Sequence, residues 1–311
     1  MQPLFAPDLD AHLDAAAAPA SSVARWSNGD GLTLSLHPWP IDDAQGSPSL
    51  GGPRGLIRIG QALRGGDAFA RLLNFVAIEP VTHDGRRGFS ELEASPGDGR
   101  PGLRFWCDAT ELRGQSLRLR IRTERFANGA HPYLIAQLSS RRPGEVRFEV
   151  YAHDDSAPIK MCVLSATMGN LQRLRTLRLK DRTVHVRDVL PDEYDDWGFT
   201  PHASFPLSDF IRDGSPRGGA LIEAQGDESD EIDAREGSRG LPSNWAYEGE
   251  NWVRYWRQPA PLDAELRAVV NARRAYWKRD TLIPGGKSFE NFELNAPFRQ
   301  GQSFVFGLRP A

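Results

Sequence analysis

The 311-residue chain has few of the features that mark disulfide-stabilised, secreted or membrane proteins. Its only two cysteines, Cys107 and Cys162, lie in apolar stretches, which predicts two buried thiols rather than a disulfide framework. No apolar run approaches the length of a membrane span, and the N-terminal residues lack the basic region and apolar run of a secretory signal. We therefore expect a cytoplasmic protein without a membrane partner.

Sequence motifs for cofactors are also absent. The chain has no GxGxxG after a strand, no GxxxxGK[ST], no HExxH, no CxxC and no GxSxG, and its seven histidines are scattered. A formal net charge of −3 argues against non-specific electrostatic binding of nucleic acid. The sequence thus predicts no cofactor, no bound metal and no nucleic-acid partner. Acid–base chemistry by side chains remains the main enzymatic option.

What the sequence does contain is a series of short strand patterns. Leu32, Leu34 and Leu36 alternate with polar residues, and so do Leu117 and Leu119 further on. Turn residues separate these runs, and no αβ alternation typical of a parallel sheet is present. The pattern predicts a mostly β protein, a large antiparallel β-sandwich with a few short helices.

The predicted domain organisation is simple. Residues 1–22 are expected to form an N-terminal helix and linker, and residues 23–311 a single large β-sandwich domain. Within that domain we expect a strand at 89–94, a long exposed acidic loop at 213–240, and a helix at 262–278, although this last segment also fits a strand.

The first candidate site surrounds Glu79, a carboxylate on an otherwise apolar strand face. Burying a lone carboxylate is costly, so it should either pair with an arginine or have a raised pKa in a cleft. Arg87 at the following turn and Glu91 beyond it are the obvious neighbours. A cross-strand ion pair and an arginine-held acid–base group are both consistent with this pattern.

Two further groups contain histidine. His131 and Tyr133 share one strand face, and Tyr151 and His153 share a face of the next strand. These side chains either line a polar groove or form a solvated sheet face. His202 lies in a loop rich in aromatic residues, which either closes the end of a sandwich or forms the rim of a ligand site.

A fourth group lies near the C-terminus. Trp252, Arg254 and Trp256 share one strand face, an arrangement that suits a sugar ring with a carboxylate but also suits packing in a β core. Lys287 and Glu290 follow a Gly-Gly turn close by.

The closing segment PGGKSFENFELNAPFRQGQSFVFGL resembles the last strands of sugar-binding supersandwich proteins related to galactose mutarotase. In that family a late strand carries a glutamate and is followed by a turn marked by proline or glycine and a final apolar strand. Glu290 or Glu293 matches the glutamate, and the resemblance covers about the last tenth of the chain. Because the upstream histidine motifs of mutarotases are not evident, it implies a relative that cleaves or rearranges glycans.

The leading hypothesis is therefore a carbohydrate-active enzyme that cleaves a glycosidic bond, by hydrolysis or by β-elimination. A mutarotase-type epimerase, which needs one glutamate and one histidine, and a non-catalytic sugar-binding protein are the alternatives. The expected partner is a small saccharide or glycan, and a homo-oligomer is compatible with the sequence. The candidate acid–base residues are Glu79, Glu91, Glu290, His202, Tyr151 and His153. The candidate substrate-binding residues are Arg87, Trp252, Arg254, Trp256, His131, Tyr133 and Lys287.

Overall fold

Two antiparallel sheets dominate the computed structural model, which describes residues 24–27, 31–36, 57–61, 73–97, 99, 102–167, 173–190, 200–214, 218–232, 251–275 and 282–311. The first half of the described strands are β1 (Ala24–Ser27), β2 (Leu32–Leu36), β3 (Ile57–Gln61), β4 (Leu73–Thr82), β5 (Phe105–Arg113), β6 (Ser116–Thr123), β7 (Pro132–Ser139), β8 (Glu145–Ala152) and β9 (Ile159–Thr167). The others are β10 (Thr176–Arg178), β11 (Thr183–His185), β12 (Ala203–Pro206), β13 (Ile211–Arg212), β14 (Gly219–Gln225), β15 (Trp252–Pro259), β16 (Arg267–Arg273), β17 (Ser288–Pro297) and β18 (Gln302–Pro310). A one-turn helix α1 (Val186–Val189) and a 3-10 turn (Leu207–Asp209) complete the elements of these ranges.

The strands divide into an eight-stranded and a ten-stranded sheet. The order of the first is β1-β2-β3-β4-β9-β17-β16-β12. The order of the second is β11-β10-β14-β15-β18-β8-β7-β6-β5, with β13 paired to β14. The expected large antiparallel β-sandwich is confirmed. The predicted N-terminal helix and linker, residues 1–22, lie outside the described residues.

The hydrophobic core lies between the two sheets. Leu117, Leu119 and Ile121 are buried, as their alternation along β6 predicts. Trp256 on β15 packs edge-on against Phe306 and donates its indole N–H to the carbonyl oxygen of Phe292, 2.7 Å away on the opposite sheet. The core therefore joins the sheets by packing and by at least one buried hydrogen bond.

Both cysteines are free and buried, which confirms the expectation of two buried thiols. Burial raises the pKa of the Cys107 thiol to about 12, so this side chain behaves as a small apolar group. None of the helices in the described ranges is long and apolar enough to cross a membrane.

An irregular register in β17 affects the placement of polar residues. Phe292 opposes Val270 and Phe289 opposes Ala272, so β17 has one more residue than β16 over this stretch. Both phenylalanines are buried in the core in spite of their three-residue spacing. Glu293, which follows Phe292, is thereby directed to the face of the sheet opposite the core.

The expected strand at 89–94 is wrong, because this segment forms turns. The amides of Leu92 and Glu93 both donate to the carbonyl oxygen of Phe89, at 3.0 and 3.1 Å. The Glu93 carboxylate in turn accepts from the amides of Phe89 and Ala127, at 2.8 and 2.7 Å. These side-chain contacts to the backbone favour a turn over a strand ladder. Glu91 therefore lies in a loop rather than on a strand face.

Two other segments that were predicted to be irregular or helical contain strands. Part of the expected loop at 213–240 is β14, in which Ala220, Ile222 and Ala224 are buried. Part of the expected helix at 262–278 is β16, in which Ala268 and Val270 are buried against the core. In both segments, pairing with neighbouring strands decides between patterns that the local sequence leaves open.

Candidate functional site

The turn after β4 folds the chain back so that Arg87 reaches Glu79. The amide of Thr82 donates to the carbonyl of Arg86 at 3.0 Å, and the amide of Gly85 donates to the carbonyl of Thr82 at 2.9 Å. Gly85 has a φ of +83°, a conformation that other residues rarely adopt. Arg87 consequently lies opposite Val81 in an isolated bridge, two residues along β4 from Glu79.

Asp84 and Asn128 stabilise this turn. Asp84 accepts hydrogen bonds from the hydroxyl of Thr82 at 2.6 Å and from the side chain of Arg86, which lower its pKa to about 2. Asn128, in the turn between β6 and β7, donates to the carbonyl oxygens of Pro80 at 2.9 Å and Arg86 at 3.0 Å. The turn that positions Arg87 is thus attached to the opposite sheet.

Arg87 joins two carboxylates from different strands, the buried Glu293 and the partly buried Glu79. Its guanidinium donates to Glu79 on β4 through Nε, at 2.7 Å, and through Nη2. The same Nη2 donates to Oε1 of Glu293 on β17 at 2.9 Å. The expected pairing of Glu79 with Arg87 is therefore present, and Glu293 is a second partner. Since both carboxyl oxygens contact one nitrogen, they are separated by no more than two hydrogen bonds, roughly 6 Å.

The electrostatic environment favours a protonated Glu79. Burial raises its pKa to about 7, with Glu293 and Glu91 adding to the shift and Arg87 opposing it. Burial lowers the pKa of Arg87, but the two carboxylates outweigh this and the net shift is upward. The cluster therefore contains a carboxyl group that exchanges its proton near neutral pH beside an arginine that stays charged.

His202 and Asn271 border the same cluster. Nε2 of His202 lies 3.9 Å from Oε1 of Glu293 and 3.5 Å from the side-chain nitrogen of Asn271. The buried Thr200 holds the segment before β12 in place, because its amide donates to the carbonyl of Ala272 at 2.8 Å and its hydroxyl accepts from the amide of Ala272 at 2.9 Å. The sandwich thus brings a histidine and two glutamates from three separate parts of the chain together.

Exposure increases from Glu293 outward. The Glu293 side chain is 2% exposed and Glu79 14%, whereas Arg87 is 27% and His202 46% exposed. Oε2 of Glu293 is buried without a hydrogen-bond partner in the described part of the chain. Phe89 is an exposed aromatic residue beside the cluster, with the guanidinium carbon of Arg87 5.3 Å from its ring centre. A ligand approaching from the side of Phe89 and His202 would meet the carboxylates last.

Ser165 lies beside Glu293 on the same sheet face. It is on β9, which runs between β4 and β17, and its Cα directly opposes those of Ala77 and Glu293. Residues paired in this way have side chains about 5 Å apart at Cβ. Ser165 is 5% exposed and adds a hydroxyl next to the carboxylates.

Glu290 and its neighbours form a different arrangement. Glu290 forms an ion pair with Arg273, whose Nε lies 2.9 Å from a Glu290 carboxyl oxygen, and both side chains are almost fully buried. Along β17 it lies roughly 10 Å from Glu293, too far to share a proton with it. Burial lowers the pKa of Arg254 to about 9, with Glu290 opposing the shift. Lys287 is also buried, at 6% exposure.

The predicted tyrosine and histidine residues lie together, but on the other sheet. The rings of Tyr133 and Tyr151 are stacked 5.0 Å apart, and His153 lies 4.8 Å from Tyr133 and 4.3 Å from His131. His131 also contacts Asp155 at 2.8 Å. Since Phe148 and Val150 on β8 point into the core, Tyr151 points away from it. This group lies on the far side of the sandwich from Glu79.

Trp252, Arg254 and Trp256 share a face, as predicted, and that face points into the sandwich. Trp256 and Arg254 are 0% exposed, and Trp252 packs against the edge of the core. Trp256 therefore has no exposed surface on which a sugar ring could stack, and Arg254 none with which it could bind a substrate, whereas the ring of Phe89 is exposed.

Sequence reasoning did not select Asn271, Ser165 or Phe89, and it left Glu293 as one of two residues that match the family glutamate. A polar residue on a strand gives no local signal of the strand that it will face. For Glu293, the three-residue spacing of Phe289 and Phe292 before it is the only trace that the irregular register leaves in the sequence.

The chain matches no family model and no curated protein. Within the described ranges, no group of three or more histidine, cysteine, aspartate or glutamate side chains is arranged to hold a metal ion.

Proposed function

We propose that the chain is a carbohydrate-active enzyme that hydrolyses a glycosidic bond, with Glu79 and Glu293 as its carboxyl pair. The observation that carries this proposal is the convergence of both glutamates on Arg87, with the pKa of Glu79 raised to about 7. A carboxyl group with a pKa near the working pH is suited to protonate a leaving group.

In the proposed reaction Glu79 donates its proton to the glycosidic oxygen as the bond to the anomeric carbon breaks. Glu293, in contact with the cationic Arg87, attacks the anomeric carbon and forms a covalent glycosyl intermediate. Water then displaces Glu293 from that carbon, and Glu79 takes up the proton of the water. The short separation between the carboxyl oxygens matches retaining rather than inverting glycosidases.

The arrangement supports hydrolysis more than β-elimination. A lyase acting on a uronate needs a cation or amide that neutralises the substrate carboxylate. Arg87 is already shared by Glu79 and Glu293, and Glu91 adds further negative charge near Glu79. A neutral sugar is therefore a better substrate for this cluster than a uronate.

An epimerase of the mutarotase type is the second candidate. The observation that favours it is the short distance between His202 and Glu293, 3.9 Å, because that reaction needs one histidine and one glutamate. Glu293 is also one of the two residues, with Glu290, that match the family glutamate in the C-terminal resemblance.

The test is a screen of the purified protein against neutral and uronic glycans. Reducing ends report hydrolysis, ultraviolet absorbance reports unsaturated lyase products, and polarimetry of free aldoses reports epimerisation. We expect reducing ends from neutral glycans, with a loss of at least about 100-fold in kcat for Glu79→Gln and for Glu293→Gln.

Glu111→Gln is the matched control, because Glu111 is an exposed, arginine-paired glutamate at the end of β5. Full activity of Glu79→Gln, or equal losses in all three variants, would rule the carboxyl pair out. Optical rotation changes without reducing ends would establish the epimerase instead.

A further inference from the structure

A cleft lies on the outer face of the ten-stranded sheet, away from the carboxyl pair. Its volume is about 540 Å³, within the range of small-molecule sites. Its walls come from β7, β8, β15 and β18 and from the turn between β7 and β8. Val305 and Pro259 supply apolar surface, and Gln137 supplies an amide.

Arginine dominates the lining of this cleft. Arg141, Arg142, Arg147 and Arg257 line it, and Glu145 is the carboxylate among the lining residues. Glu145 already accepts from Arg257 at 2.7 Å and from Arg142 at 3.3 Å. Because one carboxylate carries a single negative charge, its pairing with two arginines leaves a net positive charge in the cleft.

The surrounding charges do not remove this excess. Arg147 contacts Glu149 at 3.3 Å, but Glu149 also pairs with Arg118 at 3.0 Å. Asp213 lies 3.6 Å from Arg257. Arg141 donates to the neutral amide of Gln115 at 2.9 Å. Among the described residues around the cleft, five arginines therefore face three carboxylates.

We propose that this cleft binds a small organic dianion, such as a phosphate monoester or a dicarboxylate. Two positive charges in excess match a dianion, and arginine is the side chain best shaped to bind phosphate or carboxylate oxygens in a bidentate manner. Arg141 and Arg147 supply the contacts, because Arg141 donates to a neutral amide and the carboxylate beside Arg147 is shared with Arg118. Arg142 and Arg257 are held by Glu145. Val305 and Pro259 border the carbon skeleton of the ligand.

The test is calorimetric titration of the full chain at constant ionic strength with three probes. Glycerol 3-phosphate represents the phosphate monoester, succinate represents the dicarboxylate, and glycerol is the uncharged control. We expect saturable binding of at least one dianion with a Kd in the millimolar range or tighter, and none of glycerol. Which dianion binds more tightly distinguishes the two chemistries.

Variants locate the binding. Arg147→Gln and Arg141→Gln should each weaken it at least about tenfold, because each removes a charge-assisted contact. Arg182→Gln is the control, since Arg182 is an exposed arginine that contacts Asp209 elsewhere on this sheet. Glu79→Gln should leave the binding unchanged, so the cleft and the proposed catalytic pair are tested separately.

The absence of saturable binding for both dianions would overturn the proposal. Equal binding of glycerol would also overturn it, and so would equal weakening by Arg182→Gln and Arg147→Gln.

Discussion

At the scale of single residues, the protonation of the candidate site depends on how the carboxylates share the positive charge of Arg87. Glu79 and Glu293 contact one guanidinium, and Glu91 adds a third carboxyl group to the field at Glu79. One cation cannot fully compensate several closely spaced carboxylates, so the most easily protonated group takes up a proton. Glu79 is that group.

This proton uptake predicts how stability depends on pH. The unfolded carboxyl group titrates near 4.5 and the folded one near 7, so between these values the folded protein binds more protons. Stability must therefore fall as pH rises through this window and must level off above it. Relative to Glu79→Gln, the wild type should lose up to about 3 kcal/mol of unfolding free energy between pH 4.5 and 7.

Chemical denaturation across this pH range measures the effect. Glu111→Gln serves as the control, because Glu111 lies outside the Glu79 cluster, and the pH profile of this variant should match that of the wild type. Parallel profiles for the wild type and Glu79→Gln would contradict the raised pKa.

Phe89 supports a separate prediction about substrate binding. Its exposed ring beside Arg87 offers a stacking surface that the buried Trp256 does not. Phe89→Ala should raise KM about fivefold to tenfold with little change in kcat, because it removes binding energy without touching the carboxyl pair. Leu112→Ala, at an exposed apolar residue on β5, should change neither value. A loss confined to kcat would contradict the stacking role.

At the scale of elements, the turn between β4 and Arg87 is the part that aligns the site. Asp84 holds the turn together, and Asn128 attaches it to the other sheet. The turn lies outside the hydrogen-bonded strand pairs of the sheets. These side-chain contacts therefore set the position of Arg87 relative to Glu293.

Replacement of Gly85 should therefore affect activity as well as stability. An alanine at φ +83° is strained by about 1–2 kcal/mol, and nothing within 4 Å crowds its side chain, so the cost is conformational. We expect Gly85→Ala to lower kcat by misplacing Arg87 while the chain stays folded. Gly114→Ala is the matched control, because Gly114 also has a positive φ, in the turn between β5 and β6. Gly114→Ala should lower the free energy of unfolding by a similar amount without loss of kcat. An equal loss of kcat in both variants would contradict the role of the Gly85 turn in positioning Arg87.

At the scale of the whole molecule, the sandwich has two polar outer faces with a core between them. The eight-stranded sheet holds the Glu79 cluster, and the ten-stranded sheet holds the tyrosine–histidine group and the arginine cleft. Residues that the sequence-based hypothesis assigns to a single site are therefore divided between faces that cannot act on one small ligand.

Two buried arginines should respond in opposite ways to the same substitution. Arg175 donates to Asp230 at 2.9 Å and to the carbonyl oxygens of Pro284 and Gly286, so Arg175→Met should cost about 3–5 kcal/mol by leaving these groups unpaired. The three guanidinium nitrogens of Arg254 have no hydrogen-bond partner in the described part of the chain.

Arg254→Met should therefore be neutral or stabilising, because it replaces a desolvated cation with an apolar side chain. Glu290 remains paired with Arg273 in this variant. Thermal and chemical unfolding of both variants provides the comparison. A large loss of stability for Arg254→Met would show that its charge supports the fold.

The sequence by itself determined the fold class and the neighbourhood of Glu79 and Arg87. Alternation at Leu117, Leu119 and Ile121 specifies a strand with one buried face, and an isolated carboxylate such as Glu79 followed by Arg87 after a tight turn predicts an ion pair. Both features follow from local spacing, since side chains alternate along a strand and a short turn returns the chain to its neighbour.

Only the tertiary structure decided which residues meet. Glu293 joins Glu79 because β9 runs between their strands and β17 has an extra residue, and His202 joins them through the pairing of β12 with β16. The same long-range pairing made a strand of Arg267–Arg273 and buried Trp256 and Arg254. Contacts between residues far apart in sequence depend on strand order and register. Strand order leaves no signal in the local pattern of side chains, and the irregular register of β17 leaves a trace only in the spacing of Phe289 and Phe292.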